Sequence, residues 1–269
     1  MVKTLVVIPA RYGSSRFPGK PLAKIAGKEM LLRVYEIAKK GTDGFDAHIV
    51  VATEDERIFN FCKDHDIECL MTSDKCKTGS DRICEAVNIL NENPDFIVNL
   101  QGDNPVCPPS FVRELIKTFE SDTSVDLVTP VVELSWKELD ELRENKKTTP
   151  FSGTTCIVDK NGYAKWFSKN IIPAIRKEDD LRSKGDKSPV YRHVGMYGYK
   201  CEALFKFSSL EEGVYEKLEG LEQLRFLEND MKIKVAKVSY GAFSGSMGGV
   251  DSPDDVKRAE ELFAKYGEF

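Results

Sequence analysis

Basic charge is in short supply: 39 lysines and arginines stand against 44 aspartates and glutamates, a formal net charge of -5 and a pI near 5.5. That balance argues against a general nucleic-acid coat, which needs a broad positive face. No apolar run approaches the roughly 20 residues of a membrane helix. Met1-Val2-Lys3 runs straight into a strand-like stretch, so no signal peptide is expected. Membranes and nucleic acids are therefore not expected partners. Cys62, Cys69, Cys76, Cys84, Cys107, Cys156 and Cys201 show no CxxC and no Cys/His pair at metal-ligand spacing. Their odd number without a framework reads as reduced thiols in a cytoplasmic protein. Internal repeats and low-complexity tracts are lacking too. What is present, 41% hydrophobic and 31% charged residues over 269 positions, suits a soluble chain with a sizeable core.

Along the chain, apolar runs alternate with helical periodicity. Strands are expected at 4–10, 48–53, 68–72 and 95–103, and helices at 28–40 (closed by Gly41), at the segment after Thr53, at 80–90 and at 110–120. Thr53 and Glu56 have capping-box spacing. The pattern is α/β, with a mostly parallel, doubly wound sheet and helices on both faces. From about residue 150 the rhythm changes. Asp159-Lys160-Asn161-Gly162 marks a hairpin turn, 181–189 a mobile polar loop, and 190–200 a further strand. Helical patterns follow at 201–210 and 214–229, then a strand at 231–239. A closing helix has Ser252 as N-cap and Pro253 at its first position. One domain over 1–269, with an embedded β-rich lobe at about 150–200, is the expected organisation.

The stretch VVIPARYGSSRFPGKPL (6–22) ends a buried strand and at once collects Gly13, Gly19, Arg11, Arg16 and Lys20. Loops at the carboxyl ends of strands are where open α/β sheets bind ligands. Glycine lets backbone approach a ligand, arginine offers paired donors, and lysine offers a point charge. Five residues separate Gly13 from Gly19 and Pro21 follows Lys20, so this is not a P-loop; GxGxxG is absent as well. Either the loop holds phosphate in another way, or its charges are simply solvated.

Six further motifs accompany it: KTGSDR (77–82), VNLQGDNP (98–105), GYAKWFSK with IP (162–173), RHVGMYGY (192–199), LEQLR (221–225) and GVDSPDD (249–255). Together and in this order they resemble the CMP-Kdo synthetases (3-deoxy-manno-octulosonate cytidylyltransferases) over nearly the whole chain. The resemblance implies a Rossmann-like sheet of the nucleotide-diphospho-sugar transferase type and a homodimer formed through the lobe. It also implies an enzyme, a nucleotidyltransferase, in which the anomeric hydroxyl of a sugar acid attacks the α-phosphate of CTP and pyrophosphate leaves. Such a reaction needs cations around the triphosphate and carboxylates for Mg²⁺. Arg11, Arg16 and Lys20 fit the catalytic cations, and Asp103 and Asp251 the metal carboxylates. By the same resemblance Pro9, Ala10, Arg11, Lys20, Arg82, Gln101 and Asp103 bind the nucleotide. Lys169, Arg176, His193, Tyr197 and Glu222 face the sugar acid. Taken singly, Arg82 could be a solvated residue of a first helical turn, His193 a structural histidine and Glu222 a surface residue of an amphipathic helix.

Three departures stand out. Asn104 occupies the place of a glutamate in the usual QGDEP, Lys169 that of arginine in FSR, and Gly153-Thr154-Thr155-Cys156 that of a Val-Lys-Val type strand. Lys for Arg is not neutral where a carboxylate is gripped by paired donors. All three lie on the acceptor side, which leaves the acceptor open between Kdo, an 8-amino relative, another nonulosonic-type acid and a phosphonate. A nucleotide-binding protein without catalysis is the rival from another class, and the retention of Asp103, Asp251 and Lys20 speaks against it.

Overall fold

The computed structural model describes residues 1–13, 17–76, 78–241 and 249–268. Strand β1 (Thr4–Pro9) leads through a 3-10 turn (Lys20–Leu22) and a small ladder, β2 (Lys24–Ile25) with β3 (Lys28–Glu29), into helix α1 (Met30–Thr42). Then follow β4 (Ala47–Thr53), α2 (Glu56–Asp64), β5 (Cys69–Met71), α3 (Gly79–Leu90), β6 (Phe96–Asn99) and α4 (Pro109–Ser121). The middle of the chain supplies β7 (Leu127–Ser135), α5 (Trp136–Thr148), β8 (Thr155–Val158), β9 (Ala164–Ser168), α6 (Glu178–Arg182), β10 (Lys187–His193) and β11 (Tyr197–Lys200). Helices α7 (Cys201–Ser209), α8 (Val214–Glu219) and α9 (Leu224–Glu228), strand β12 (Ile233–Lys237) and helix α10 (Pro253–Tyr266) complete it.

Ten strands form one sheet in the order β5-β4-β1-β6-β11-β7-β10-β8-β9, with β12 also on β7. β1 pairs in parallel with β4 and β6, β4 with β5, and β7 with β12; β11 inserts antiparallel between β6 and β7. The fold is thus α/β around a large, mostly parallel sheet. Its two faces carry separate cores, because side chains alternate along a strand. Val6 and Ile8 pack with Val34, Phe111, Val112 and Ile116 of α1 and α4, whereas Leu5 and Val7 pack with Ile83 and Val87 of α3 and Leu204 of α7.

The strands of the 150–200 region extend this sheet: β10 lies antiparallel to β7, and the β8–β9 hairpin adds to β10. Gly162, with φ of +83°, makes the hairpin turn that the sequence spacing predicts. Several boundaries differ from expectation. Asp55, not Thr53, caps α2, accepting from the Arg57 N–H. Gly41 lies inside α1 rather than closing it. A Cβ there would fall 2.7 Å from the Val112 Cβ and 2.8 Å from the Pro109 carbonyl, so glycine is the residue that allows α1 to pack against α4. The polar stretch 181–189 is the end of α6 and the start of β10, held by the Ser188 hydroxyl on the Leu134 carbonyl (2.8 Å). The helical pattern at 214–229 breaks at Gly220, whose φ is +61°, which leaves Glu222 on a turn between α8 and α9. Ser252 caps α10 with Pro253 following, as the sequence implies. Among the described residues no helix is long and apolar enough to cross a membrane.

Candidate active site

β1 and β6 are parallel neighbours, with Val7 level with Asn99, so the chain leaves both strands side by side at their carboxyl ends. Gly102 makes the approach possible: a Cβ there would lie 2.7 Å from the Pro9 carbonyl oxygen. Between the two loops opens a cavity of about 340 Å³. Pro9, Ala10, Arg11, Lys20, Arg82, Gln101 and Asp103, the residues expected to bind the nucleotide, all line it. Arg16 lies outside the described residues.

Lys20 starts the 3-10 turn after Gly19, whose φ is +72° and whose N–H donates to the Tyr12 carbonyl (2.9 Å). The Tyr12 ring in turn lies under the Arg57 guanidinium, 3.4 Å from its centroid. From this base the Lys20 Nζ donates to Asp103 Oδ2 at 2.8 Å and to Asp251 Oδ1 at 3.0 Å. Burial opposes the ammonium charge, but the two carboxylates more than offset it, so the Lys20 pKa stands above the ordinary lysine value. Asp251 is brought there by two features. The Val250 N–H donates to the Asp103 carbonyl (2.8 Å), and Ser252 caps α10, leaving the neighbouring Asp251 carboxylate for Lys20. Two carboxylates meeting at one point suit Mg²⁺, which commonly takes one or two protein carboxylates and completes its shell with phosphate oxygens and water. Among the described residues no group of three or more histidines, cysteines, aspartates or glutamates is placed to hold a metal ion.

Arg82 is not a solvated helix residue. It is fully buried, donating to the Thr72 hydroxyl and lying 2.7 Å from Glu54 Oε2, while still lining the cavity. Helix α3 reaches this place through a capping box between Thr78 and Asp81. Gln101 is fixed by its amide donating to Asn99 Oδ1 (3.0 Å).

A second cavity of about 150 Å³ adjoins the first, sharing Gln101 and Asp103 and adding Asn104, His193, Val194, Gly195, Tyr240 and Gly249. His193 Nε2 is 2.8 Å from the Thr129 hydroxyl, which is also 2.8 Å from the Met196 carbonyl. Burial, assisted by the Lys169 charge, drops the His193 pKa to about 3, so the ring is neutral at physiological pH. Tyr197 stands beside it (ring centroids 5.6 Å apart) and donates to Gln223 Oε1 at 3.0 Å. Glu222 accepts from Ser80 at 2.8 Å, and burial raises its pKa. Arg176 is exposed in the connection after β9 and lines neither cavity.

Sequence reasoning passes over three residues here. Gln223 is 2% exposed, and its Nε2 has no hydrogen-bond partner among the described residues, an orphan donor beside Tyr197. It lies in the LEQLR motif, next to Glu222. Arg192 is partly buried, with a guanidinium pKa lowered by that burial, and Lys146 is likewise shifted down, by burial and then by the Lys169 and Arg192 charges. Nothing in the sequence brings Lys146 to Lys169; only the tertiary fold does.

Residues 5–233 match the model of the cytidylyltransferase family, an enzyme class that transfers nucleotidyl groups. Within that class, the 3-deoxy-manno-octulosonate cytidylyltransferase of Maricaulis maris is 40% identical over 267 residues, covering 99% of each chain. The 8-amino-3,8-dideoxy-manno-octulosonate cytidylyltransferase of Shewanella baltica is 38% identical over 264 residues, covering 96% of this chain and 98% of its own. A solved structure of CMP:2-keto-3-deoxy-manno-octonic acid synthetase complexed with CTP superposes with a TM-score of 0.83 at 32% identity, covering 98% of this chain and 99% of the other. The chain belongs to the CMP-Kdo synthetase family of cytidylyltransferases.

Proposed function

We propose that the protein transfers CMP from CTP to the anomeric hydroxyl of a 2-keto-3-deoxy sugar acid, Kdo or its 8-amino relative, and releases pyrophosphate. The observation that carries this reading is the convergence of Asp103 and Asp251 on Lys20 at the mouth of the nucleotide cavity. The anomeric oxygen bonds to the α-phosphorus as the bond to the pyrophosphate oxygen breaks, and the hydroxyl proton is released. Asp103 and Asp251 hold Mg²⁺, which supplies Lewis-acid stabilisation of the phosphate charge. Arg11, Arg16 and Lys20 neutralise the triphosphate and pyrophosphate. Arg82 and Gln101 read the base. His193, Tyr197, Gln223 and Glu222 offer hydrogen bonds to the acceptor's hydroxyls, while Lys169 and Arg192 supply positive charge for its carboxylate. Arg176, which lines neither cavity, is assigned to that set by resemblance alone.

A homodimer through the 150–200 lobe is part of the proposal, supported by the exposure of Phe151 (76%) and of Leu218 (76%) on α8, which docks on the lobe where Tyr215 meets Trp166. A cytoplasmic setting is supported by seven free cysteines. The test is pyrophosphate release from CTP with Kdo and 8-amino-Kdo. Release that requires both Mg²⁺ and one of these acids is expected. Release with neither acid would sink the acceptor class, and release without added metal the role of the two aspartates.

A further inference from the structure

Strand β9 ends at Ser168, the last residue laddered to β8 through Thr155. Lys169 therefore leaves the sheet with no strand partner for its peptide groups. Two charged side chains from elsewhere take that part. The Lys169 N–H donates to Glu219 Oε2 (2.8 Å), while the other oxygen of the same carboxylate accepts from the Ser168 hydroxyl (2.8 Å). The Lys169 carbonyl accepts from the Lys146 Nζ at 2.5 Å. The same ammonium gathers the carbonyls of Ser152 (2.5 Å), Gly153 (2.9 Å) and Pro150 (3.2 Å). Lys146 comes from the last turn of α5 and Glu219 from the last position of α8, so opposite charges on two helices pin one residue from both sides.

We propose that Lys146 and Glu219 are positioning residues for the acceptor, fixing the main chain of Lys169 so that its ammonium is held toward the acceptor cavity. The proposal rests on Lys169 meeting the sugar acid's carboxylate. Its support there is geometric: Phe167, two residues before Lys169, sets its ring against that of His193 (centroids 5.1 Å apart), and His193 lines the acceptor cavity. The clamp also has a chemical rationale for lysine. A lysine head is a point charge on a flexible stem, without the preformed fork of arginine. Directional grip on a carboxylate must then come from a rigid backbone, which the clamp provides. Charge-assisted hydrogen bonds are the stronger kind, and these grip an otherwise unpaired peptide on both sides.

The experiment is steady-state pyrophosphate release by the full-length variants Lys146→Met, Glu219→Gln and Lys169→Met, and by the Lys146→Met/Lys169→Met double variant, with Kdo and 8-amino-Kdo as acceptors. Calorimetric CTP binding is measured in parallel. Each single variant is expected to raise the KM for the acceptor about tenfold, with kcat and the Kd for CTP within about twofold of wild type. The double variant should behave like Lys169→Met alone, since Lys146 acts through Lys169. Multiplying effects in the double variant would overturn the proposal, as would weaker CTP binding in step with acceptor KM, the sign of a merely structural role. Glu219→Gln keeps size and one acceptor oxygen, so it tests the clamp even where Lys146→Met fails to fold. If Lys169→Met leaves acceptor KM unchanged, the Lys169 reading fails and the clamp with it; if Lys169→Met acts and the other two do not, only the clamp fails.

Discussion

The two cavities share Gln101 and Asp103 but are built by different means. On the nucleotide side, backbone does most of the placing: β1 and β6 are laddered in parallel, and their ends deliver Pro9, Ala10 and the Gln101–Asp103 turn to fixed positions. On the acceptor side the lining comes from the end of β10 and the turn after it, with Asn104, Tyr240 and Gly249, and Lys169, Tyr197 and Glu222 are not among the lining residues. There, side-chain contacts such as Tyr197 on Gln223 and Lys146 on Lys169 set the geometry. A ladder positions atoms through many weak bonds in parallel, so single side chains matter little to it. A wall made of individual contacts can be retuned one residue at a time. Of the three departures, Asn104 lines the second cavity, whereas Thr154 and Lys169 line neither.

The largest effect should separate chemistry from binding in the nucleotide half. Asp103→Asn or Asp251→Asn is expected to lower kcat by about 10²–10³ or more, in the range seen when one preorganised charge is lost at a transition state. Thermal melts should show the fold intact, and a near-wild-type rate in either variant would remove that residue from the metal site. Next comes Gly102→Ala. With a Cβ 2.7 Å from the Pro9 carbonyl, the two loops must part. A loss of about 1–3 kcal/mol in stability, together with CTP binding weakened at least tenfold, is the expected outcome. Acceptor KM should change less than the Kd for CTP; the reverse order would contradict the division between the halves.

A third test concerns pH. The folded pKa of His193, about 3, lies below that of an unfolded histidine, roughly 6.5. Between these values the unfolded chain binds the additional proton, so stability rises with pH across that window and its contribution is flat above it. Urea unfolding from pH 4 to 7 should show a shallower pH slope in His193→Gln than in wild type. An equal slope in both would mean that the ring is not held neutral. The smallest expected effect is at Arg176, which is exposed and lines neither cavity: Arg176→Gln should raise acceptor KM only about two- to threefold, measured by the same pyrophosphate assay.

Much of the fold was legible because hydrophobic periodicity reports local structure. The strand ending in Pro9, the helix over 110–120 and the Ser252 cap all follow from short-range pattern. The errors arose where tertiary contacts overrule that pattern. Gly41 reads as a helix stop but serves the close packing of α1 on α4, and a polar run at 181–189 reads as a loop although its latter part pairs with β7. The region 127–148, a strand and helix of the main sheet, carried no motif to announce it. In the site, the residues assigned to the nucleotide lie in contiguous motifs, and the fold gathers them around one cavity. Lys146, Arg192 and Gln223 were not legible, since a lysine in a charged helix, an arginine in a strand and a glutamine in a turn acquire meaning only from neighbours distant in sequence.

The pairing of Lys20 with Asp251 joins residues 231 positions apart, whereas Lys20 and Asp103 are separated by 83. Closing the longer loop costs only slightly more entropy than closing the shorter, because the cost grows with the logarithm of length. In time the two are unequal, since contacts of great sequence separation are the slow ones to form. For refolding, the expectation is that the β1–β6 floor forms before the carboxylate of Asp251 joins the cluster. Recovery of turnover should lag behind recovery of CTP binding, and the interval between them measures how long the second half of the chain takes to come home.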